Sequence, residues 1–136
     1  MENKSYQILN FKCFGDYRGN LVPIEQGADC PFKIERIYYI FGSDSDVIRG
    51  KHAHKDLQQI IVCLHGSCDF ILDDGKIRET IKLDSPTKAL YITGEKMLWR
   101  EFSNFNNDCV VMVLASKHYS ENDYIKDYEE FKKLVS

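Results

Sequence analysis

The 136-residue sequence lacks any continuous apolar run that approaches the roughly 20 residues needed to span a bilayer. Its opening residues, MENKSYQILNF, also lack the long apolar core of a secretory signal. There is no excess of positive charge either, since 18 Lys and Arg face 21 Asp and Glu, for a net charge of −3. We therefore expect no membrane segment, no export signal and no general attraction to nucleic acid. An anionic ligand would need a local basic pocket.

Cysteines at disulfide or metal-binding spacing are missing as well. The five cysteines are an odd number, and no two of them have CxxC spacing. Cys63 and Cys109 lie inside the apolar runs IIVCL and CVVMVL, where a reduced cysteine packs as a small hydrophobic side chain. The sequence therefore predicts a reduced, cytoplasmic protein without a disulfide framework or a cysteine zinc site.

What the sequence does contain is a succession of short runs rich in Ile, Val, Tyr and Phe, separated by turn signals. Each run has the length and composition of a β-strand. Asp73, Asp74 and Gly75 form a hairpin signal between two of the runs. Closely spaced strands of this kind predict one all-β domain over residues 1–136, folded as a sandwich or jelly roll.

The C-terminal end has a different pattern. From Tyr124 to Val135, apolar residues recur at helical spacing among charged ones. Ser120 and Asp123 resemble a capping box, although Asp replaces the usual Glu or Gln. The sequence predicts a C-terminal α-helix over residues 120–135.

The segment that carries chemistry is RGKHAH, which ends in His52, Ala53 and His54. Because residues two apart in a strand point to the same face, both histidines should project into one space, with Gln59 opening the next strand. Histidine takes up and returns protons near neutrality, so a pair in a pocket suits proton abstraction next to a carbonyl. The alternative is a pair of exposed histidines on an edge strand.

This segment resembles the first motif of the cupins, in which a glycine precedes HxH, a carboxylate follows, and a glycine closes the hairpin. Here Gln59 stands where metal-binding cupins have a glutamate, and Arg100 follows Trp99 where they have a further histidine. An amide is a poor metal ligand and a guanidinium is none. Two histidines alone leave an incomplete site, so we expect no metal and no cofactor.

Over most of its length the sequence is similar to the cupins of nucleotide-sugar metabolism, specifically the dTDP-4-keto-6-deoxyglucose 3,4-ketoisomerases. The segments that carry the similarity are DYRGNL, RIYYIFG, RGKHAH, LDSP, WREF, VMVLAS and DYIKDYEEF. The related 3,5-epimerases share the DxRG and RGxH elements but not the HAH pair. The resemblance implies a cupin jelly roll (a double-stranded β-helix), a homodimer that exchanges N-terminal strands, and a dTDP-linked keto sugar as ligand.

The resemblance also implies roles in substrate binding. Arg18 of the DxRG element would reach the nucleotide, in the partner's site, and Arg49 would hold the pyrophosphate. Gln59 and one of two adjacent tyrosines would donate hydrogen bonds to the reacting oxygens, with Tyr39 favoured over Tyr38. For Arg18 the alternative is a turn residue beside a glycine.

In the implied reaction, the ketone at C4 acidifies the proton on C3, and His52 or His54 removes it to give an enediolate. Family members often carry a histidine where this chain has Arg100, whose pKa above about 12 prevents proton exchange. Arg100 can still fix an oxyanion or phosphate. We expect C4 to be protonated from the side of the two histidines, giving a 3-keto product of gluco rather than galacto configuration. The alternative is that Arg100 is a surface residue.

Two other functions remain open on the sequence. One is a 3,5-epimerase of 4-keto sugars on the same scaffold, against which the paired histidines argue. The other is a non-catalytic cupin that binds a sugar as a sensor, against which the lack of any recognisable DNA-binding or partner segment argues.

Overall fold

The computed structural model describes residues 5–136. The strands follow the short apolar runs of the sequence, and one helix ends the chain. In chain order they are β1 (Tyr6–Asn10), β2 (Phe14–Asp16), β3 (Gly19–Leu21), β4 (Arg36–Ile40), β5 (Arg49–His54), β6 (Gln59–Asp73), β7 (Arg78–Leu83), β8 (Lys88–Ile92), β9 (Trp99–Ala115), β10 (Tyr124–Ile125) and α1 (Tyr128–Val135).

The two longest strands, β6 and β9, pair antiparallel and form the spine of the fold. Their pairing shifts register between Cys63 and Asp69, where each strand bends and passes from one half of the sheet to the other. Gly66 lies at this bend with a φ of 69°, and a Cβ there would collide with the backbone oxygens of Asn106 and Asn107. Glycine is therefore required at the point where the sheet folds over itself.

The bend divides the antiparallel sheet into two layers. Sheet I has the strand order β1-β8-β6-β9-β4 and uses the N-terminal part of β6 and the C-terminal part of β9. Sheet II has the order β7-β6-β9-β5-β10 and uses the opposite parts of the same two strands. Strands β2 and β3 form a separate, exposed hairpin. The predicted all-β jelly roll is confirmed.

The main core lies between the two layers. Sheet I contributes side chains such as Ile61 and Val113, and sheet II contributes Phe70, Leu72 and Phe102, all nearly inaccessible to solvent. The outer face of sheet II is covered by α1, whose Phe131 is fully buried. Burial of this apolar surface is the main source of stability for such a fold.

The predicted helix over residues 120–135 is wrong in its start. The helix begins at Tyr128, capped by the carboxylate of Asp127, which accepts hydrogen bonds from the amides of Glu129 and Glu130. Ser120 makes no side-chain capping bond. The reason is that Asp123 is engaged elsewhere, by His54 and by the amides of the β5–β6 loop. Within residues 5–136, no helix has the length and apolar character to cross a membrane.

Candidate active site

A cavity of about 450 Å³ opens between strands β4, β5, β9 and β10. Its lining combines aromatic and apolar side chains with two arginines and one histidine. The lining residues are Arg36, Tyr38, Tyr39, Ile40, Phe41, Arg49, Gly50, His52, Phe102 and Tyr124. Among residues 5–136 no carboxylate lines the cavity, which gives the acidic protein a local basic pocket.

His52 and His54 lie side by side, as their spacing on β5 predicts. Their Nε2 atoms are 3.1 Å apart, and the rings meet nearly edge to face. His52 lines the cavity, whereas His54 is only 3% exposed and does not. The ring of Tyr124 packs against both imidazoles, with centroid distances of 4.8 and 4.5 Å. The two histidines are therefore a hydrogen-bonded pair of which His52 faces the cavity.

Asp123 completes this unit from the far end of the sequence. Its Oδ2 is 2.7 Å from Nδ1 of His54. Its Oδ1 accepts hydrogen bonds from the backbone amides of Lys55 and Asp56, at 2.9 and 3.3 Å. Pairing of Tyr124 in β10 with His54 in β5 brings the carboxylate to this position. A contact across 69 residues has no local signal, so sequence reasoning did not find it and placed Asp123 in a helix cap.

Both histidines are held neutral. Burial, followed by the positive charges of His54 and Arg100, lowers the pKa of His52 to about 3. Burial and Arg100 lower the pKa of His54 to about 4, although Asp123 opposes the shift. Desolvation penalises the charged form of an imidazole. At neutral pH the site therefore presents two uncharged bases.

Arg100 is 2% exposed, so the alternative that it is a surface residue is wrong. Its Nη1 donates to Oε1 of Gln59 at 2.5 Å, and its Nε and Nη2 donate to the carbonyl of Leu98. Burial lowers its pKa to about 10, which leaves it protonated at neutrality. Among the described residues it has no ion pair with a carboxylate, so a buried positive charge lacks a full counter-ion.

Tyr38 and Tyr39 both line the cavity but differ in burial and hydrogen bonding, and the choice of Tyr39 as the donor stays a prediction. Tyr38 faces the core between the layers, and its hydroxyl accepts a hydrogen bond from Nε2 of Gln59 at 3.3 Å. Tyr39 is 65% exposed on the rim of the cavity and stacks near Phe41. The alternation of β4 decides which tyrosine points inward, and Tyr38 lies opposite the buried Val113 of β9.

The two arginines assigned to nucleotide and pyrophosphate differ in position. Arg49 lines the cavity, next to Gly50 and His52 on β5. Arg18 lies on the exposed β2–β3 hairpin, where its guanidinium forms a bidentate ion pair with Asp16 at 2.6–3.2 Å. Arg18 is not part of this chain's cavity lining, and its contribution to a partner's site stays a prediction.

Arg36 is a further cavity residue that sequence reasoning missed. It lines the cavity beside the ring of Tyr38, 5.1 Å from the ring centroid, and its Nε is buried without a hydrogen-bond partner in the described part of the chain. Its position at the start of β4 gave no signal in the sequence.

Residues 5–136 contain no group of three or more His, Cys, Asp or Glu side chains arranged to hold a metal ion.

Residues 4–136 match the family described as "FdtA: WxcM-like, C-terminal". The TDP-4-oxo-6-deoxy-alpha-D-glucose-3,4-oxoisomerase of Aneurinibacillus thermoaerophilus is 51% identical over 136 residues, covering 100% of this chain and 94% of that protein.

Solved structures agree with this match. One is a histidine-to-asparagine mutant of the 3,4-ketoisomerase QdtA from Thermoanaerobacterium thermosaccharolyticum in complex with TDP-4-keto-6-deoxyglucose. It has a TM-score of 0.94 and 38% identity, covering 98% of this chain and 96% of that one. A 3,4-ketoisomerase from Helicobacter canadensis has a TM-score of 0.92 and 43% identity, covering 98% of both chains.

The fold and the site thus define a cupin-type isomerase. The chain belongs to the FdtA/WxcM-like family. The relatives named above are 3,4-ketoisomerases, and two of them are named with a TDP-linked keto sugar. The fold class, the enzyme class and the family expected from the sequence are confirmed.

Proposed function

We propose that the chain converts TDP-4-keto-6-deoxyglucose to a TDP-3-keto-6-deoxyhexose by histidine acid/base catalysis through an enediolate. The observation that carries the proposal is the neutral His52 on the cavity wall, backed by a second neutral histidine at 3.1 Å. A neutral imidazole that faces a substrate is a competent general base. The relatives' names supply the substrate class.

The charge of the cavity fits a nucleoside diphosphate sugar. Arg36 and Arg49 line it, and in the part of the chain that the structure describes no acidic side chain of the lining competes for them. The unpartnered Nε of Arg36 offers a hydrogen bond to an anionic or carbonyl oxygen. Guanidinium groups bind phosphate oxygens with charge-assisted hydrogen bonds, so these two residues would hold the diphosphate or orient the adjacent sugar.

A chain of hydrogen bonds prepares one donor for the reacting oxygen. Arg100 can only donate, so the group of Gln59 that faces it is the amide oxygen. The amide nitrogen of Gln59 then donates to the hydroxyl oxygen of Tyr38, which leaves the Tyr38 O–H free to donate into the cavity that it lines. Tyr38, polarised through Gln59 by the buried charge of Arg100, would stabilise the enediolate oxygen.

The proton inventory is balanced within the substrate and the histidine pair. His52 takes the proton from C3, and the electrons of the C–H bond pass to the C4 ketone to form the enediolate. A proton moves between O3 and O4, and C4 is protonated while the ketone forms at C3. No outside oxidant or reductant is needed, because C3 is oxidised as C4 is reduced.

For the configuration at C4 we propose protonation from the side of the two histidines, which gives the gluco product. Arg100, which replaces the histidine often found there in the family, does not exchange protons readily. The test is NMR of the product formed from TDP-4-keto-6-deoxyglucose in deuterated buffer. We expect a 3-keto sugar of gluco configuration with deuterium at C4. A galacto product would refute this stereochemical proposal, and the absence of any 3-keto sugar would refute the function.

The proposal includes a homodimer in which exchanged N-terminal strands bring Arg18 to the nucleotide of the partner's site. Support comes from the hairpin β2–β3, whose residues are all exposed in the single chain.

The proposal also includes a cytoplasmic location. Five free cysteines support it, since reducing conditions keep thiols unpaired.

A further inference from the structure

We infer that Asp123 is a positioning residue that sets the tautomers of both site histidines and leaves Nδ1 of His52 as the atom that accepts the substrate's proton. Asp123 itself is not part of the cavity lining and acts through His54. The tautomer assignment follows from the hydrogen-bond geometry together with the charge states of Asp123 and the two histidines, and its catalytic consequence rests on the proposed function.

The argument begins at the carboxylate. Partial burial alone would raise the pKa of Asp123, but its hydrogen bonds with His54 and with the amides of Lys55 and Asp56 lower the pKa overall. An ionised carboxylate only accepts hydrogen bonds. The 2.7 Å contact therefore requires the proton of His54 to lie on Nδ1, and the Nε2 of a neutral His54 is bare.

The second step follows from the 3.1 Å contact between the two Nε2 atoms, which holds one proton. Since Nε2 of His54 is bare, Nε2 of His52 must donate that proton. A neutral imidazole carries one proton, so Nδ1 of His52 is bare. Nδ1 is thus the basic atom of the only histidine in the cavity lining.

The hydrogen bonds from His52 through His54 to Asp123 also allow the positive charge of the abstracted proton to be stabilised. When Nδ1 of His52 takes a proton, that ring becomes a cation, and its Nε2 proton can pass to Nε2 of His54. The imidazolium then lies at His54, in direct contact with the carboxylate of Asp123. An ion pair at this distance in a partly buried site is far more favourable than an isolated buried imidazolium. The return of the proton to the substrate reverses both transfers.

The second oxygen of Asp123 makes a decisive substitution possible. Oδ1 accepts from two backbone amides, so in Asp123→Asn the side-chain oxygen must keep that position, because an NH₂ group cannot face two N–H donors. The new NH₂ is then forced toward Nδ1 of His54 and donates to it. His54 must carry its proton on Nε2, and His52 must carry its proton on Nδ1. Asp123→Asn thus inverts both tautomers and removes the basic atom without removing the loop contacts.

The experiment is ¹⁵N NMR of the imidazole nitrogens in the labelled full-length protein at neutral pH, without substrate. His65→Gln and His118→Gln identify the signals of the only other two histidines. We expect the wild type to show His54 protonated at Nδ1 and His52 at Nε2, and Asp123→Asn to show both reversed. A wild-type His52 protonated at Nδ1, or unchanged tautomers in the variant, would overturn the inference.

Kinetics then test the catalytic consequence. We expect Asp123→Asn to lower kcat by about 10²–10⁴-fold, the range for losing a correctly protonated base, with KM changed less than threefold. Asp123→Glu, which restores an acceptor, should recover part of the rate. The matched control is Glu121→Gln, an exposed carboxylate two residues away that forms an ion pair with Lys126, which should retain full activity. Inverted tautomers with undiminished kcat would refute the catalytic part. If the wild type itself has no ketoisomerase activity, the proposed function fails, and the NMR result still decides the tautomers.

Discussion

Two clusters of ionisable side chains lie inside this protein, one beside the cavity and one at the bend of β6 and β9. The first contains His52, His54 and Arg100, and the second contains Cys63, Cys68 and Cys109. In both, burial opposes the charged form. It lowers the pKa of the histidines, whereas it raises the pKa of Cys63 to about 12 and also raises that of Cys68.

The neutral histidines and the neutral cysteines differ in reactivity. A neutral imidazole is a base ready to accept a proton, whereas a neutral thiol is a poor nucleophile. The histidines also have a route to a cavity and a carboxylate behind them, while the thiol of Cys63 lies in the core and bonds to Cys109, at 3.7 Å, and to backbone carbonyls. Burial therefore produces chemistry only where a substrate can reach the buried group and a partner can receive the charge.

The largest effect should come from His52→Asn. We expect kcat to fall by at least about 10³-fold, because the substitution removes the only base in the cavity lining and leaves a neutral side chain of similar size. TDP binding, measured by calorimetry, should be retained. His65→Asn is the matched control, since His65 is exposed near Cys63 and its ring has one hydrogen bond among residues 5–136, to the carbonyl of Asp108. Activity of His52→Asn within tenfold of the wild type would contradict the assignment.

Arg100→Met should have the next largest effect. It removes the buried charge that orients Gln59 and polarises Tyr38, and loss of such electrostatic stabilisation lowers kcat by about 10²–10³-fold. Stability should change little or increase, since a buried charge without a full counter-ion is expensive to desolvate. Steady-state kinetics and urea denaturation check the two expectations. A large loss of stability with unchanged kcat would mean that Arg100 is structural.

The pH profile should show a moderate departure from ordinary histidine catalysis. Because the pKa values of His52 and His54 are lowered to about 3 and 4, both bases stay neutral as the pH falls, and kcat/KM should be nearly constant from pH 8 down to about 5. A base with the usual pKa near 6.5 would lose more than tenfold over that range. Below about pH 6.5 the histidines of the unfolded chain gain protons, whereas those of the folded protein stay neutral, so the free energy of unfolding decreases as the pH falls. Trp99 fluorescence must therefore show that the protein is folded at each pH. An acid limb near pH 6.5 would contradict the lowered values.

The smallest effect on activity should be that of Cys63→Ala. We expect kcat to change less than twofold, while the free energy of unfolding falls by about 1 kcal/mol because a buried side chain is shortened. Denaturation and kinetics on the same preparation measure both. A loss of activity that exceeds the loss of folded protein would show that the two clusters are coupled and would contradict this expectation.

Features of the fold and the site that depend on residues close together in the chain could be predicted from the sequence alone. Apolar runs placed the strands, the Asp-Asp-Gly turn placed the β6–β7 hairpin, and strand periodicity put His52 and His54 on one face. The departures at Gln59 and Arg100 also marked both positions, since each replaces a residue type that the cupin motif expects. These inferences work because side-chain direction in a strand repeats every two residues.

The long-range contacts of the site and the orientation of its tyrosines depend on the tertiary structure. It brought Asp123 to His54 across 69 residues and Arg100 to Gln59 across 41, and it turned Tyr38 inward and Tyr39 outward. It also shortened the C-terminal helix, because Asp123 bonds to the site instead of capping a helix. Such contacts depend on how strands pair across the sheet, and a long-range pairing leaves no periodic trace in the residues that take part in it.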